Sequence, residues 1–148
     1  MAGRIGTAKI AGVATGTSVK TLIQLIAASN HAIKIRQVSI GFHGTSATAE
    51  PIKVELKRQT DAGTMSSLTP VKGDDSCGDT LDTTAQHTAT AEPTAGDILW
   101  NMPVHPQAPL IWEPPWDAPI VVGAGDRIGL AVTAGADVNC DATIIFEE

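Results

Sequence analysis

Four histidines are the first residues in this sequence whose chemistry would suit metal binding or proton transfer. They are His31, His43, His87 and His105. No two of them lie two or four residues apart, the spacing that brings a pair of imidazoles to one metal ion from a single strand or helix. An acidic loop at residues 73–82, GDDSCGDTLD, also lacks the D-x-D-x-D-G pattern of a calcium loop. We therefore expect neither a metal site nor a cofactor.

Catalytic motifs are absent as well. The run GAGDR at residues 123–127 has no Lys-Ser/Thr pair after it, and a strand pattern follows where a phosphate loop requires a helix. It predicts a hairpin turn. There is no G-x-S-x-G elbow and no H-E-x-x-H motif, and no Ser/His/Asp set is marked by its spacing. We expect a protein that is not an enzyme.

Two tryptophans in LIWEPPWDAP, residues 110–119, are better candidates for a binding role. Trp112 and Trp116 lie four residues apart on either side of Pro114 and Pro115, in a chain with three tryptophans, two phenylalanines and no tyrosine. The prolines remove two backbone donors, so this segment belongs at a sheet edge or in a loop. A stiff peripheral tryptophan suits a protein interface. The prediction is that one or both rings are buried by another chain; the alternative is that both cap the core.

The elements that position these residues read as strands. Ile52, Val54 and Leu56 alternate with polar residues, and similar alternation covers residues 128–132 and 138–146. Roughly eight strands with turn signals between them predict an all-β fold, an antiparallel, jelly-roll-like β-sandwich.

Four further segments are less regular. Residues 19–27 match both helical and strand spacing, and we favour a strand. The change of phase near Arg36–Gln37 predicts a β-bulge, and residues 61–84 are interpreted as a long polar loop. A turn-rich loop is expected at residues 44–51.

The length of 148 residues indicates one domain. We divide it into a flexible N-terminal arm, residues 1–17, and a single β-sandwich domain, residues 18–148. No signal peptide or membrane-spanning run is present, so no membrane is expected as a partner. Cys140 shares a face with apolar residues and is predicted to be a buried hydrophobe; a disulfide with Cys77 is not expected.

The net charge of −6 is unevenly distributed. Residues 1–72 hold nine basic and three acidic residues, whereas residues 73–148 hold one basic and thirteen acidic residues. No Arg/Lys-rich run occurs, so nucleic acid is not an expected partner. We predict a basic face for a protein partner, formed on two strands interpreted as neighbours. Its residues are Lys34, Arg36, Lys53 and Lys57.

Three runs carry a resemblance to a known family. GTSATAEPIKVELKRQTDAGTMSSLTPVK, TAQHTATAEPTAGDILW and APIVVGAGDRIGLAVTAGADVNCDATIIFEE resemble the single jelly-roll decoration, or cement, proteins of tailed-bacteriophage heads. The resemblance implies a structural virion protein, made in the host cytoplasm, that binds the capsid exterior and bridges capsomers as a homotrimer. Its partners would be the major capsid protein and itself. No family binding residue carries over to this chain.

Two other functions fit the same residues. One is a glycan-binding β-sandwich module with Trp112 and Trp116 as an aromatic platform. The other is a phage tail or fibre component.

Overall fold

The structure of this chain is a computed structural model that describes residues 3–44 and 50–148, and these residues form twelve strands. The strands are β1 Ile5–Ala14, β2 Lys20–Ile26, β3 Ile33–His43, β4 Ile52–Gln59, β5 Thr64–Leu68, β6 Val71–Lys72, β7 Thr84–Ala91, β8 Ala95–Val104, β9 Leu110–Trp112, β10 Ile120–Val122, β11 Arg127–Thr133 and β12 Asn139–Glu147. The described residues contain no helix. Part of the predicted loop, residues 45–49, and the first two residues of the predicted arm lie outside the described residues.

The strands form two antiparallel sheets that pack face to face. The first has the order β10-β3-β12-β1-β6, and the second has the order β5-β7-β2-β11-β4-β8. β9 also pairs with β3, at Val38–Ile40, while β10 pairs with Ile33–Ile35. Because β12 occupies the other side of β3, β9 and β10 act as one edge strand with an interruption.

A jelly roll of eight strands accounts for the sandwich. The first sheet supplies β1-β12-β3 and the β9/β10 edge, and the second supplies β2-β11-β4-β8, which together have the strand order of a jelly roll. The predicted fold class is confirmed. The full count is twelve because β5, β6 and β7 are inserted between β4 and β8, and because the prolines divide one edge strand in two.

The core lies between the sheets and consists of the inward-facing aliphatic residues of both. Phe146, Ile144 and Cys140 of β12 are fully buried, as the alternation in this strand predicts. The segment with ambiguous spacing forms strand β2, as favoured. Arg36 is the extra residue of a bulge, because Ile145 pairs with Gln37 and the next residue of β12 pairs with Ile35.

The interpretation of residues 1–17 as an arm is wrong for β1. This strand pairs with β12 along most of its length, and Ala8 and Ile10 are buried. Its hydrophobic signal is weak because small residues are needed there: a Cβ on Gly6 would lie 2.4 Å from the Phe146 ring.

The interpretation of residues 61–84 as one long loop is also wrong. β5 extends the second sheet beyond β7, and the two-residue β6 extends the first sheet beyond β1. Serine and threonine dominate β5, so its composition resembles that of a loop. Pairing with β7 supplies the backbone hydrogen bonds that make it a strand.

The inserted segment crosses the outer face of the second sheet and covers polar side chains there. Gln24 donates to Gln59 at 2.8 Å and to the Asp61 carbonyl at 2.9 Å, and Gln59 donates to the Thr21 hydroxyl at 2.9 Å. The Glu92 carboxylate accepts from the Thr21 backbone N–H at 2.8 Å. These bonds satisfy side chains that would be costly to bury unpaired.

Candidate functional site

The proline-containing segment between β9 and β10, residues 113–119, forms a loop that projects from the sheet edge. The Ala118 backbone N–H donates to the Pro115 carbonyl at 3.0 Å, and Gln37 donates to Glu113 at 2.7 Å. Trp116 is at the exposed part of this loop, with 85% of its surface accessible. The edge position predicted from the prolines is therefore correct, and the loop presents a large apolar ring to solvent.

Arg36, the bulge residue of β3, lies over one face of the Trp116 ring. Its guanidinium carbon lies 5.0 Å from the centre of the Trp116 ring, within the range of a cation–π interaction. The same guanidinium donates to Glu147 of β12, at 2.6 Å from Nε. This hydrogen bond, with the charges of Arg36 and Lys34, lowers the pKa of Glu147 despite the opposing effect of burial. Trp116 is thus positioned by an arginine that is itself fixed by a carboxylate.

A groove of about 350 Å³ runs beside the ring on the outer face of the first sheet. Arg36, Gln37, Glu113, Pro114, Trp116 and Ile145 are among the residues that line it. The groove combines a flat aromatic edge with charged and amide side chains, so it suits contact with a polar surface that also has an apolar part.

Trp112 has a different role from Trp116. Its ring stacks on Trp100 of β8 with 4.7 Å between centroids and 22° between planes, and it packs against the core. Because β8 and β9 are the edges of the two sheets, this stack closes one side of the sandwich. The two predicted tryptophans are not brought together: Trp112 packs inward, as the alternative allowed, and Trp116 faces solvent.

Exposed apolar side chains accumulate on the same side of the molecule. Within residues 3–44 and 50–148, eight large hydrophobic residues are exposed, and five of them lie in residues 98–121. These are Ile98, Met102, Ile111, Trp116 and Val121. The sequence contained a signal for Ile111 that our predictions did not use: in the run Leu110–Ile111–Trp112 all three residues are apolar, so alternation must turn one of them outward.

The predicted basic face is not formed. Lys34 and Arg36 belong to β3 in the first sheet, whereas Lys53 and Lys57 belong to β4 in the second, so the two strands are not neighbours. Lys57 is 8% exposed, and Lys53 lies 3.0 Å from Glu55, which is itself buried on the same face. The outward alternation of β4 was predicted correctly, but the outer face of its sheet is partly covered.

A second cluster of ionisable residues was not found from sequence. The side chain of Glu148 is fully buried, and it accepts hydrogen bonds from the backbone N–H groups of Asp82 and Thr83 at 2.9 and 2.8 Å. Arg4 lies 2.9 Å from the Asp82 carboxylate and 3.0 Å from that of Glu148. His31 Nε2 is 3.5 Å from Glu148 and has no hydrogen-bond partner among the described residues.

The four side chains come from distant parts of the chain, so no local motif marks them. Burial raises the pKa of Glu148, but hydrogen bonds from Thr83 and Asp82 and the charge of Arg4 outweigh it, so the net pKa is lowered. His31, Asp82 and Glu148 offer atoms within 4.8 Å of one another, the proximity that a metal site requires. The guanidinium of Arg4 already supplies a positive charge to both carboxylates. We call this group of Arg4, His31, Asp82 and Glu148 the ion-pair staple.

The remaining sequence expectations concern the thiols. Cys77 and Cys140 are both free. Burial raises the pKa of the Cys140 thiol to about 12, as expected of a small buried hydrophobe.

Comparison with known proteins gives no match. No family model matches the chain, and no curated protein or solved structure is significantly similar to it. Among the described residues, no helix has the length and apolar character needed to cross a membrane. The exposed Trp116 loop and the surface around it are therefore the features of this chain that bear on its function.

Proposed function

We propose that this chain is a structural virion protein that binds the outer surface of a phage capsid and stabilises it by bridging capsomers, with the Trp116 loop as a contact surface. The major capsid protein and further copies of this chain, as a homotrimer, are its partners in this proposal. The proposal assigns a binding role and no catalysis.

The observation that carries the proposal is the 85% exposure of Trp116 on a loop that is held in place. A flexible loop would lose conformational entropy on binding, whereas Pro114, Pro115 and the Arg36–Glu147 pair fix this one in advance. Soluble monomers rarely leave large apolar surface in contiguous patches. Ile111 and Val121 add to the apolar surface of the same edge. These features suit a rigid anchor for another protein.

A glycan-binding module remains the second candidate, in a modified form. Trp112 is half-buried and stacked on Trp100, so it does not form a joint platform with Trp116. A sugar would have to stack on Trp116 alone, next to the polar side chains of Arg36, Gln37 and Glu113.

The test is co-sedimentation of the purified chain with capsids assembled from the major capsid protein of the same genome. We expect the wild-type chain to bind and Trp116→Ala to bind at least about 30-fold more weakly, because truncation of an anchoring tryptophan commonly costs about 2 kcal/mol or more. Trp116→Ala should keep the circular dichroism spectrum and unfolding midpoint of the wild type, since the ring is exposed.

Val71→Ala is the matched control. Val71 is 61% exposed on β6, at the opposite edge of the same sheet, and its truncation should leave binding unchanged. Wild-type protein that fails to bind capsids would refute the proposed function. Glycan binding that is lost in Trp116→Ala, without capsid binding, would establish the second candidate instead.

A further inference from the structure

We propose that the partner surface of the Trp116 loop is basic, and that a lysine or arginine of the partner stacks on the free face of the Trp116 ring. This inference rests on the proposed function and specifies the chemistry of the partner at that site.

One face of the Trp116 ring is free to contact a partner. Arg36 lies over one side at 5.0 Å, yet 85% of the Trp116 surface remains accessible, so the opposite face is open to solvent. The face of an indole ring carries partial negative charge and attracts cations, and the attraction is stronger once water is excluded. The charge of Arg36 is compensated by its hydrogen bonds to Glu147, so it does not prevent a second cation from approaching the other face.

The charges around the ring favour the same kind of partner. Glu113 lines the groove and accepts from the neutral amide of Gln37, and Asp117 follows Trp116 directly in the chain. Neither carboxylate is in a salt bridge within the described part of the chain. Arg36 is paired with Glu147, and the other cations near this edge are Lys34 and Arg58, whose Nη2 lies 3.4 Å from the Val121 carbonyl oxygen. Glu113 and Asp117 are therefore the charges that the loop itself presents.

The net charge of the whole molecule, −6, also favours a basic partner. Complementary charge accelerates encounter and excludes like-charged partners. The apolar residues Ile111 and Val121 beside the loop then require that the basic patch has apolar surface next to it. A capsid surface with an exposed arginine or lysine among small apolar residues meets both requirements.

The experiment measures capsid affinity and association rate for the wild type and for Glu113→Gln/Asp117→Asn at several salt concentrations. We expect wild-type affinity to fall as salt rises from about 0.05 to about 0.5 M, since screening shortens the range of charge interactions. The double variant should bind about five- to tenfold more weakly at low salt, through a slower association rate, and should show a smaller salt dependence.

Asp75→Asn/Asp79→Asn is the matched control, because it makes the same change in net charge in the acidic loop next to β6, at the other edge of the sheet. Its affinity should stay within about twofold of the wild type. If both double variants bind capsids more weakly than the wild type by the same factor, the loss is explained by net charge alone and the inference is wrong.

The outcomes also separate this inference from the proposed function. If Trp116→Ala loses binding while Glu113→Gln/Asp117→Asn binds like the wild type at every salt concentration, the Trp116 contact stands and the basic partner surface is wrong. If Trp116→Ala binds like the wild type, the Trp116 contact and the partner chemistry inferred from it are both wrong.

Discussion

At the scale of single residues, Trp112 and Trp116 differ in burial, although they lie only four positions apart with two prolines between them. Trp112 ends β9 with its ring directed inward, where Trp100 from the other sheet stacks on it at 4.7 Å. Trp116 lies on the projecting loop, where Arg36 is its aromatic-face contact. The first ring therefore contributes to the free energy of folding, and the second is free to contribute to binding.

We expect Trp112→Ala to lower the free energy of unfolding by about 2–4 kcal/mol, because the ring is half-buried and truncation of fully buried aromatic residues costs about 3–5 kcal/mol. Trp100→Ala should have a similar effect. Urea unfolding of the single and double variants should give a coupling free energy of about 1 kcal/mol for the stack.

Ile111→Ala provides the control for this prediction. The Ile111 side chain is 67% exposed in the same short strand, so Ile111→Ala should change the free energy of unfolding by no more than about 0.5 kcal/mol. Strictly additive losses for Trp100 and Trp112 would show that the observed stacking makes no contribution beyond burial.

At the scale of elements, the two ends of the insertion between β4 and β8 approach each other closely through backbone atoms. Gly63 has a positive φ of 56°, and a Cβ there would lie 2.5 Å from the Ala91 carbonyl oxygen and 2.7 Å from the Pro93 nitrogen. Both obstructing atoms are backbone atoms of the returning segment, so they cannot move away by a change of rotamer. The crossing therefore depends on glycine at this position.

Gly63→Ala should be destabilising by about 2 kcal/mol more than Gly125→Ala. Both glycines have positive φ, 56° and 78°, so both variants have the strain of about 1 kcal/mol that a Cβ meets in this region. A Cβ on Gly125 would meet no atom within 4 Å. The difference between the two unfolding free energies, measured in urea, isolates the clash of the Gly63→Ala side chain with Ala91 and Pro93, and equal values would contradict the close approach.

At the scale of the whole molecule, the ion-pair staple joins four distant segments of the chain. Arg4 and Glu148 exchange backbone hydrogen bonds of 2.9 Å in both directions, and their side chains meet Asp82 and the turn that carries His31. The first and last strands of the jelly roll, β1 and β12, are neighbours in one sheet. The staple therefore links the residue before β1 to the residue after β12.

This arrangement predicts acid sensitivity. The pKa of Glu148 is lowered in the folded state, so its contribution to stability is fully present above the usual glutamate pKa of about 4.3 and is lost as pH falls through the lower folded value. Glu148→Gln should therefore be less stable than the wild type at pH 7, and the difference should shrink as the pH approaches about 3.

Unfolding in urea at a series of pH values measures this difference. Asp75→Asn, which removes an exposed carboxylate outside the staple, is the control and should follow the wild-type curve. A gap between Glu148→Gln and the wild type that stays constant from pH 7 to about 3 would show that the charge of Glu148 is not what stabilises the staple.

Local patterns were sufficient for much of the fold. Alternation in β4, β11 and β12 predicted the strands and their buried faces, the phase change at Arg36 predicted the bulge, and Pro114 with Pro115 predicted an edge. These features depend on the two-residue period of a strand and on the missing backbone donor of proline, which are properties of a few adjacent residues. For the candidate site, this reasoning identified Trp116 and its rigid segment.

The partners of those residues depended on contacts between distant parts of the chain. Glu147 is 111 residues away from Arg36, and the sheet assignment of β3 and β4 separated the lysines that sequence had grouped. Strand β1 lacked a strong hydrophobic signal because its small residues fit against the large side chain of Phe146. What the sequence determined alone was therefore which residues form β4, β11 and β12 and which face of each of these strands is apolar. Which strands become neighbours, and hence which charges pair and which tryptophan stays exposed, followed from long-range packing.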